Sequence, residues 1–422
     1  MTAAAAAVAT RRRARAPAGV RRERHQPAYG LLLAAVALVA FGVVMVYSAS
    51  SVHSYLGTSD PGAQGMQQLI WAGLGLAAML VASRIDFRVL RYLAIPGYWV
   101  SLVLLALVLV PSIGTEVAGS RRWIVLPGIG GFQPAELAKL AIVLYLAHWL
   151  DRRGDAARGL WNGFIPFLLI ASPGFLLIAA EPDLGTSAVY VIAAGSVFFM
   201  AGANLVYLTA AIGMVLAAAV SMISRTPYQL ERVQGFVDPF RDPLGSGYNT
   251  IQALLALALG GLTGAGLGES RQKYLYLPAP STDFIFAIIG EEWGLVGTLG
   301  ALLLFAVLAY QGYRIAVRAP DSFSGLLACG ITTWLVAQAF INMAVVAALL
   351  PVTGIPLPFL SYGGSALTIN LVAVGILLSI SRETTEGGSI FDAIGDIRRR
   401  DRRARVPRAG RSAGAPKRAK RR

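Results

Sequence analysis

Ten stretches of this chain are apolar over most of a bilayer's width: near 30–50, 68–83, 92–110, 135–150, 163–180, 184–201, 204–224, 284–313, 322–350 and 366–381. No water reaches backbone N–H and C=O groups inside a bilayer, so such runs must pair those groups internally, and an α-helix does so within one segment. Several of the ten are short or interrupted by Gly or Pro, but their recurrence leaves one fold class: an all-α polytopic integral membrane protein with ten transmembrane helices. Composition agrees. Charged residues are 14 % of the chain and mean hydropathy is +0.61, against roughly 25 % charge in a soluble domain. A soluble multidomain enzyme, a disordered chain and a disulfide scaffold are excluded, the last because Cys329 is the single cysteine.

The formal net charge of +15 sits in the two ends. Residues 1–29 hold seven Arg and one Glu, and residues 382–422 hold fourteen basic and five acidic residues, while the core of 30–381 has sixteen of each. These tails lack aromatic residues for stacking on bases and carry no folded reader, so they read as cytoplasmic tails near anionic lipid, and no nucleic-acid partner is expected. With the Arg-rich N-terminus inside, the even-numbered loops carry Arg84, Arg88 and Arg91, then Arg152, Arg153 and Arg158, then Arg314 and Arg318. Segments 51–67, 181–183 and 351–365 carry no Lys or Arg, and 112–134 carries only Arg121 and Arg122. The positive-inside rule therefore predicts ten spans with both termini cytoplasmic. The first apolar run starts about thirty residues in and lacks a small-residue cleavage pattern, so it reads as a span and not a signal peptide.

In this topology 225–283 is one large extracellular loop, too long for a mere connector. Its apolar stretch at 251–268 predicts a re-entrant or interfacial helix followed by a glycine-rich turn. No fixed short repeat is visible.

Ionisable residues at membrane depth are expensive and mark candidate sites. Within RRWIVLPGIGGFQPAELAKL, Pro134 opens a helix on which Glu136 and Lys139, at i and i+3, share a face. They read either as a self-neutralising pair or, with Arg122 and Trp123 beside them, as part of a cavity for an anionic headgroup. In EPDLGTS, Asp183 reads first as a helix cap. In the large loop, Arg271, Lys273 and nearby amides are placed to meet a phosphate. Asp283, where the chain re-enters the membrane, reads either as an N-cap or as a catalytic acid. Glu291 and Glu292 point about 100° apart on a helix, which predicts structural pairing with neighbouring helices and no shared site. The turn PVTGIPLPFLSYGGSAL offers the hydroxyls of Ser361 and Ser365 to a polar ligand. Nothing resembles a Walker motif, HExxH, CxxC or a Ser-His-Asp order, which disfavours ATP-driven transport and metal hydrolysis.

Together, QPAELAKL, EPDLGTS, GFVDPFRDPLGSGYN, the QKYLYLP and TDFIFAIIGEE runs, and LPFLSYGGS resemble the SEDS family (shape, elongation, division and sporulation), which includes FtsW, RodA and SpoVE, and within it most closely the FtsW branch. The likeness spans about 30–381. It implies a ten-span peptidoglycan glycosyltransferase that polymerises lipid II, an undecaprenyl-pyrophosphate disaccharide-pentapeptide, on the outer face of the bacterial cytoplasmic membrane. Such proteins work with a class B penicillin-binding protein, and an FtsW-like member also with divisome proteins at the septum.

By the resemblance, Asp283 is the general base that takes the proton from the acceptor 4-hydroxyl. Glu136, Lys139 and Trp123 line the lipid II cavity, Arg122 and Lys139 face the pyrophosphate, and Lys273, Ser361 and Ser365 complete the binding set. No tightly bound cofactor is implied, although a divalent cation, Mg2+ or Mn2+, is compatible with a pyrophosphate leaving group, and no metal ligands are assigned. Three positions depart from the family pattern: Glu181 replaces Gln, Ala135 replaces Ser, and Ser281 stands where many FtsW sequences have His. The alternatives are a lipid II flippase, a RodA-like elongation enzyme, and a scaffold that positions the penicillin-binding protein.

Overall fold

A computed structural model of the protein describes residues 27–383 except 118–119, 127–129 and 226. Expectations for the tails 1–29 and 382–422 therefore lie outside the described residues, apart from 27–29 and 382–383. Each of the ten apolar stretches is helical: α1 Tyr29–Thr58, α2 Ala63–Arg84, α3 Leu90–Val108, α4 Pro134–Arg153, α5 Ile165–Ala180, α6 Leu184–Met200, α7 Leu205–Arg225, and, after α8 Pro227–Val237 and α9 Tyr248–Gly260 of the large loop, α10 Ile285–Val317, α11 Ser322–Val346 and α12 Gly364–Ser381. Among the described residues eight of the helical stretches are long and apolar enough to cross a membrane. The two others from the sequence reading are α4, which carries Glu136, Lys139 and a charged final turn, and α6, which has 17 residues.

The core lies where α11 and α12 meet α4, α6 and α10. Backbone approach there is close: a Cβ on Gly330 of α11 would fall 2.5 Å from both Val143 of α4 and Val197 of α6. In α12, a Cβ on Gly375 would fall 2.5 Å from the carbonyl oxygen of Met79 in α2. By contrast, almost none of α7 is buried within the protein.

Two features differ from the sequence reading. The segment before α4, expected as an outer loop, forms a three-stranded antiparallel sheet of β1 Thr115–Val117, β2 Ser120–Leu126 and β3 Gly130–Phe132, so the all-α description holds for the helices and not for this turn. A three-residue strand is too short to announce itself by alternation, and here the glycines of 128–131 rather than a periodic pattern mark the hairpin.

The second difference is a break in α10. Gly294 takes φ +63°, a left-handed conformation open to glycine at little cost, and it interrupts the helical ladder. Backbone groups freed by the break pair with the turn after α9. Ala265 N–H and Gly266 N–H donate to the carbonyls of Glu291 (2.9 Å) and Glu292 (3.0 Å), while Leu295 N–H donates to Gly261 O (3.0 Å). The helix expected within 251–268 is present as α9, followed by the expected glycine-rich turn, and it packs against α10.

Candidate functional site

The turn between α5 and α6 supplies the first element. Asp183 caps α6: its Oδ1 accepts from Thr186 N–H (2.9 Å) and its Oδ2 from the Thr186 hydroxyl (2.9 Å). The same Oδ2 accepts from Arg122 Nη1 of β2 at 3.1 Å, so the cap is also half of an ion pair. Next to it Glu181 is fully buried, and neither carboxyl oxygen has a hydrogen-bond partner. Burial pushes its pKa up to about 8; Asp183 raises it further and Arg122 opposes both.

The second element is the chain ahead of α10, gripped by the 351–363 turn. Ser361 donates its hydroxyl to Thr282 O (2.6 Å) while accepting from Leu357 N–H (2.7 Å), and Tyr362 N–H donates to Ser281 O (2.8 Å). Asn342 of α11 donates from Nδ2 to Asp283 O (2.7 Å) and Ile355 O (2.8 Å). The backbone of 281–283 is therefore fixed from three sides. The Asp283 carboxyl does not cap α10, whose N-cap is Phe284 with no side-chain cap, so the capping alternative falls away. A Cβ built on Gly354 would lie 3.6 Å from Asp283 Oδ2 and 4.0 Å from Arg232 Nη1, which places carboxylate and guanidinium against one stretch of backbone. Burial raises the Asp283 pKa; Arg122 and then Arg232 pull it back, and Asp183 adds a smaller push upward.

The third element is on α4. Lys139 Nζ donates to Glu136 Oε1 (2.7 Å) and Gln338 Oε1 (2.6 Å), and sits 5.2 Å from the Trp334 ring centroid. Gln338 in turn donates to Pro356 O (3.0 Å), which ties α4 to the turn that holds Asp283. Glu136 Oε2 is buried without a partner, as are Arg122 Nε and Asn342 Oδ1. Buried polar atoms are rarely left unpaired, and a group of them around one acidic residue marks space for a polar ligand or water.

Of the expected site residues, Asp283 and Arg122 fall within electrostatic reach of one another, and Asp183 links them to Lys139 with its partner Glu136. Trp123 packs across the hairpin, its ring 3.0 Å from where a Cβ on Gly131 would stand. Ser365 accepts from Gln133 N–H at 3.4 Å, just ahead of α4. Ser361 uses its hydroxyl to hold the Thr282 carbonyl ahead of Asp283. Lys273 is buried, 3.4 Å from Glu292 Oε1, also donates to Gly268 O, and lies on the wall of a cleft that it shares with Ser48 and Tyr274. Its charge is matched inside the protein, because the α10 break brings Glu292 to it.

In that region the structural pairing expected of Glu291 and Glu292 is present, made largely with backbone donors, but the two share one loop instead of serving separate neighbours. Glu291 and Glu292 both grip one loop: Glu291 accepts from Ser270 Oγ (2.5 Å), Arg271 N–H (2.8 Å) and Gln272 N–H (3.3 Å), and Glu292 from Ser48 Oγ (2.6 Å) and Ser270 N–H (3.4 Å). The 100° argument holds for an uninterrupted helix packed against helices, whereas this loop folds across the broken end and meets both side chains.

The sequence reading did not single out Arg232, Gln338, Asn342 or Gly354. Arg232 and Val352 line a polar cleft of about 550 Å³ with Asp238, Arg241 and Asp242 of the DPFRDP run. Among the described residues no three His, Cys, Asp or Glu side chains gather in a set able to hold a metal ion.

Comparison with known proteins gives a consistent result. The family FTSW_RODA_SPOVE, described as "Cell cycle protein", matches residues 29–386. The chain is 42 % identical over 351 residues to the probable peptidoglycan glycosyltransferase FtsW of Trichlorobacter lovleyi, covering 83 % of this chain and 92 % of that one. It is also 42 % identical to stage V sporulation protein E of Bacillus subtilis, covering 83 % and 96 %. Among solved structures, a chain of a peptidoglycan synthase complex superposes with a TM-score of 0.68 at 32 % identity, covering 86 % and 99 %. The rod shape determining protein RodA of Thermus thermophilus superposes with a TM-score of 0.63 at 30 % identity, covering 86 % and 98 %.

Proposed function

Because the chain belongs to the FtsW/RodA/SpoVE family of cell cycle proteins, we propose that it is a peptidoglycan glycosyltransferase that polymerises lipid II, with Asp283 as general base. The observation that carries this reading is the Asp283 carboxyl, freed from helix capping and set beside Arg232 and within reach of the Arg122–Asp183 pair. Asp283 takes the proton of the acceptor sugar's 4-hydroxyl as that oxygen bonds to the donor's anomeric carbon, and the undecaprenyl-pyrophosphate leaves with the bonding electrons. Burial, which raises the carboxyl's pKa, makes it a better proton acceptor once ionised. Arg122 and Arg232 favour the ionised form and lie on the side where a pyrophosphate charge would develop. The unpartnered Glu136 Oε2 and Asn342 Oδ1 supply acceptors for sugar hydroxyls. No step is routed through a metal ion.

The same reading makes this a ten-span protein of the bacterial cytoplasmic membrane with both termini inside and the Asp283 end outside, paired with a class B penicillin-binding protein. The FtsW relatives and the QKYLYLP run support septal wall synthesis with divisome partners. The test is polymerisation of labelled lipid II by the purified protein, with and without the class B partner. Polymer from the wild type and none from Asp283→Ala is expected. Equal product from both would remove Asp283 as base, and no product from either would favour a lipid II flippase.

A further inference from the structure

Glu181 is a buried acid that the reaction above does not use. Its carboxyl is 0 % exposed and both its oxygens lack a partner, while its backbone carbonyl accepts from the Ser120 hydroxyl of β2. The charged groups that act on it are Asp183 and Arg122, and the elements around this turn carry further ones that reach Asp183 or Asp283. β2 presents Arg122, whose Nη1 is on Asp183 and whose Nε has no partner. The start of α6 presents Asp183, whose Oδ1 and Oδ2 are both engaged by Thr186. α8 presents Gln229, which donates to Pro182 O at 3.1 Å, and one turn further along, Arg232 beside Asp283. On α4, Lys139 lies within reach of Asp183.

With Glu181 protonated, Arg122 and Arg232 balance Asp183 and Asp283. Ionised, Glu181 would put an unsolvated negative charge near the guanidinium that Asp183 holds, and the Nε of that guanidinium has no partner to give up. Arg122 would then be drawn toward Glu181, and the balance around Asp283 would turn negative, against an anionic substrate.

We propose that Glu181, as a neutral acid, is a positioning residue that keeps Arg122 on Asp183 and available to the substrate's pyrophosphate, and that its ionisation weakens the site. The inference rests on the glycosyltransferase reading above and concerns how that site responds to pH. Burial places the ionisation of Glu181 at about 8, just above neutral, where a change of protonation has a functional reach.

The experiment compares the full-length wild type with Glu181→Gln, which fixes the neutral form, and Glu181→Asp, which retains a titrating acid. Each is reconstituted with the class B partner and followed across neutral to alkaline pH. Two readouts are taken: lipid II polymerisation, and the thermal shift produced by inorganic pyrophosphate. In the wild type polymerisation and the pyrophosphate affinity derived from the shift are each expected to fall by about tenfold per pH unit above about 8, as one ionisation requires. Glu181→Gln is expected to lose that alkaline fall, and Glu181→Asp to keep it, each read as an alkaline-to-neutral ratio within the same variant. Superimposable wild-type and Gln profiles would overturn the inference while polymer formation upheld the glycosyltransferase reading. A pH-dependent pyrophosphate shift abolished by Gln, with no polymer from any form, would uphold the Glu181 inference and reject that reading. A Gln variant that melts as the wild type but is weakened equally at all pH values would assign Glu181 to packing alone.

Discussion

Glu291 and Glu292 on one side and Glu136 and Glu181 on the other are equally buried, at 1 %, 2 %, 1 % and 0 % exposure. They differ in how many donors meet them. Every oxygen of the first pair is hydrogen-bonded, and Glu292 also has the Lys273 ammonium. In the second pair Glu136 has one oxygen unpaired and Glu181 has both. A saturated buried carboxylate is a structural tie, because any ligand would have to displace bonds already made. An unsaturated one costs the fold free energy, and here Glu181 lies beside the Asp183–Arg122 pair that reaches Asp283, while Glu136 pairs with Lys139. Satisfaction of the carboxylate, not its burial or charge, separates Glu291 and Glu292 from Glu136 and Glu181.

The sharpest break of this comparison is Asp283→Ala. Removing a general base is expected to lower lipid II polymerisation by about 10²–10⁴-fold, while melting in detergent stays close to wild type because the 281–283 backbone is held by Ser361, Asn342 and Tyr362. Glu292→Ala should do the reverse. It leaves the buried Lys273 charge unmatched, at a cost of about 3–5 kcal/mol, seen as a large drop in melting temperature and in the yield of folded protein. If Glu292→Ala left stability intact and abolished only polymerisation, the loop anchor would belong to the site after all.

A smaller effect sharpens the other half. The folded-state pKa of Glu181 is raised from its ordinary value to about 8, so above the unfolded value of about 4.5 the unfolded chain releases a proton that the native protein keeps. Stability contributed by the neutral form is complete below that lower value and is lost as pH rises through about 8, at about 1.4 kcal/mol for each unit of pKa difference. Glu181→Gln should flatten this slope, and thermal unfolding of the two proteins at mildly acidic and mildly alkaline pH checks it. The smallest effect is expected at the opposite end of α3 and α12, where Arg88 pairs with Asp86 and Glu383 at one-third exposure. Arg88→Ala should cost about 0.2–1 kcal/mol, read from the same melts.

Much of this was legible in the chain. The ten apolar runs became ten helices, because in lipid backbone self-pairing leaves a long apolar segment no other option. Asp183 was readable as a cap from its place before LGTS, and Glu136 with Lys139 from their spacing of three. The partner of Lys273 was not readable: only the fold brings Glu292, nineteen residues away, to face it. Arg232 carried no local signal, since an arginine in an amphipathic loop helix resembles any solvated one; only the fold sets it beside Asp283.

The sequence by itself determined that the chain is a helical membrane protein and which family motifs it carries, because hydropathy over a span and residue identity within a motif are local quantities. Tertiary structure decided which charges are matched. A left-handed glycine at 294 opens α10 beside the loop that meets two adjacent carboxylates, whereas Glu181, Arg122, Glu136 and Asn342 each keep a buried polar atom unpaired. Hydrogen-bond satisfaction depends on what the rest of the chain brings within about 3 Å, and no window of sequence contains that information.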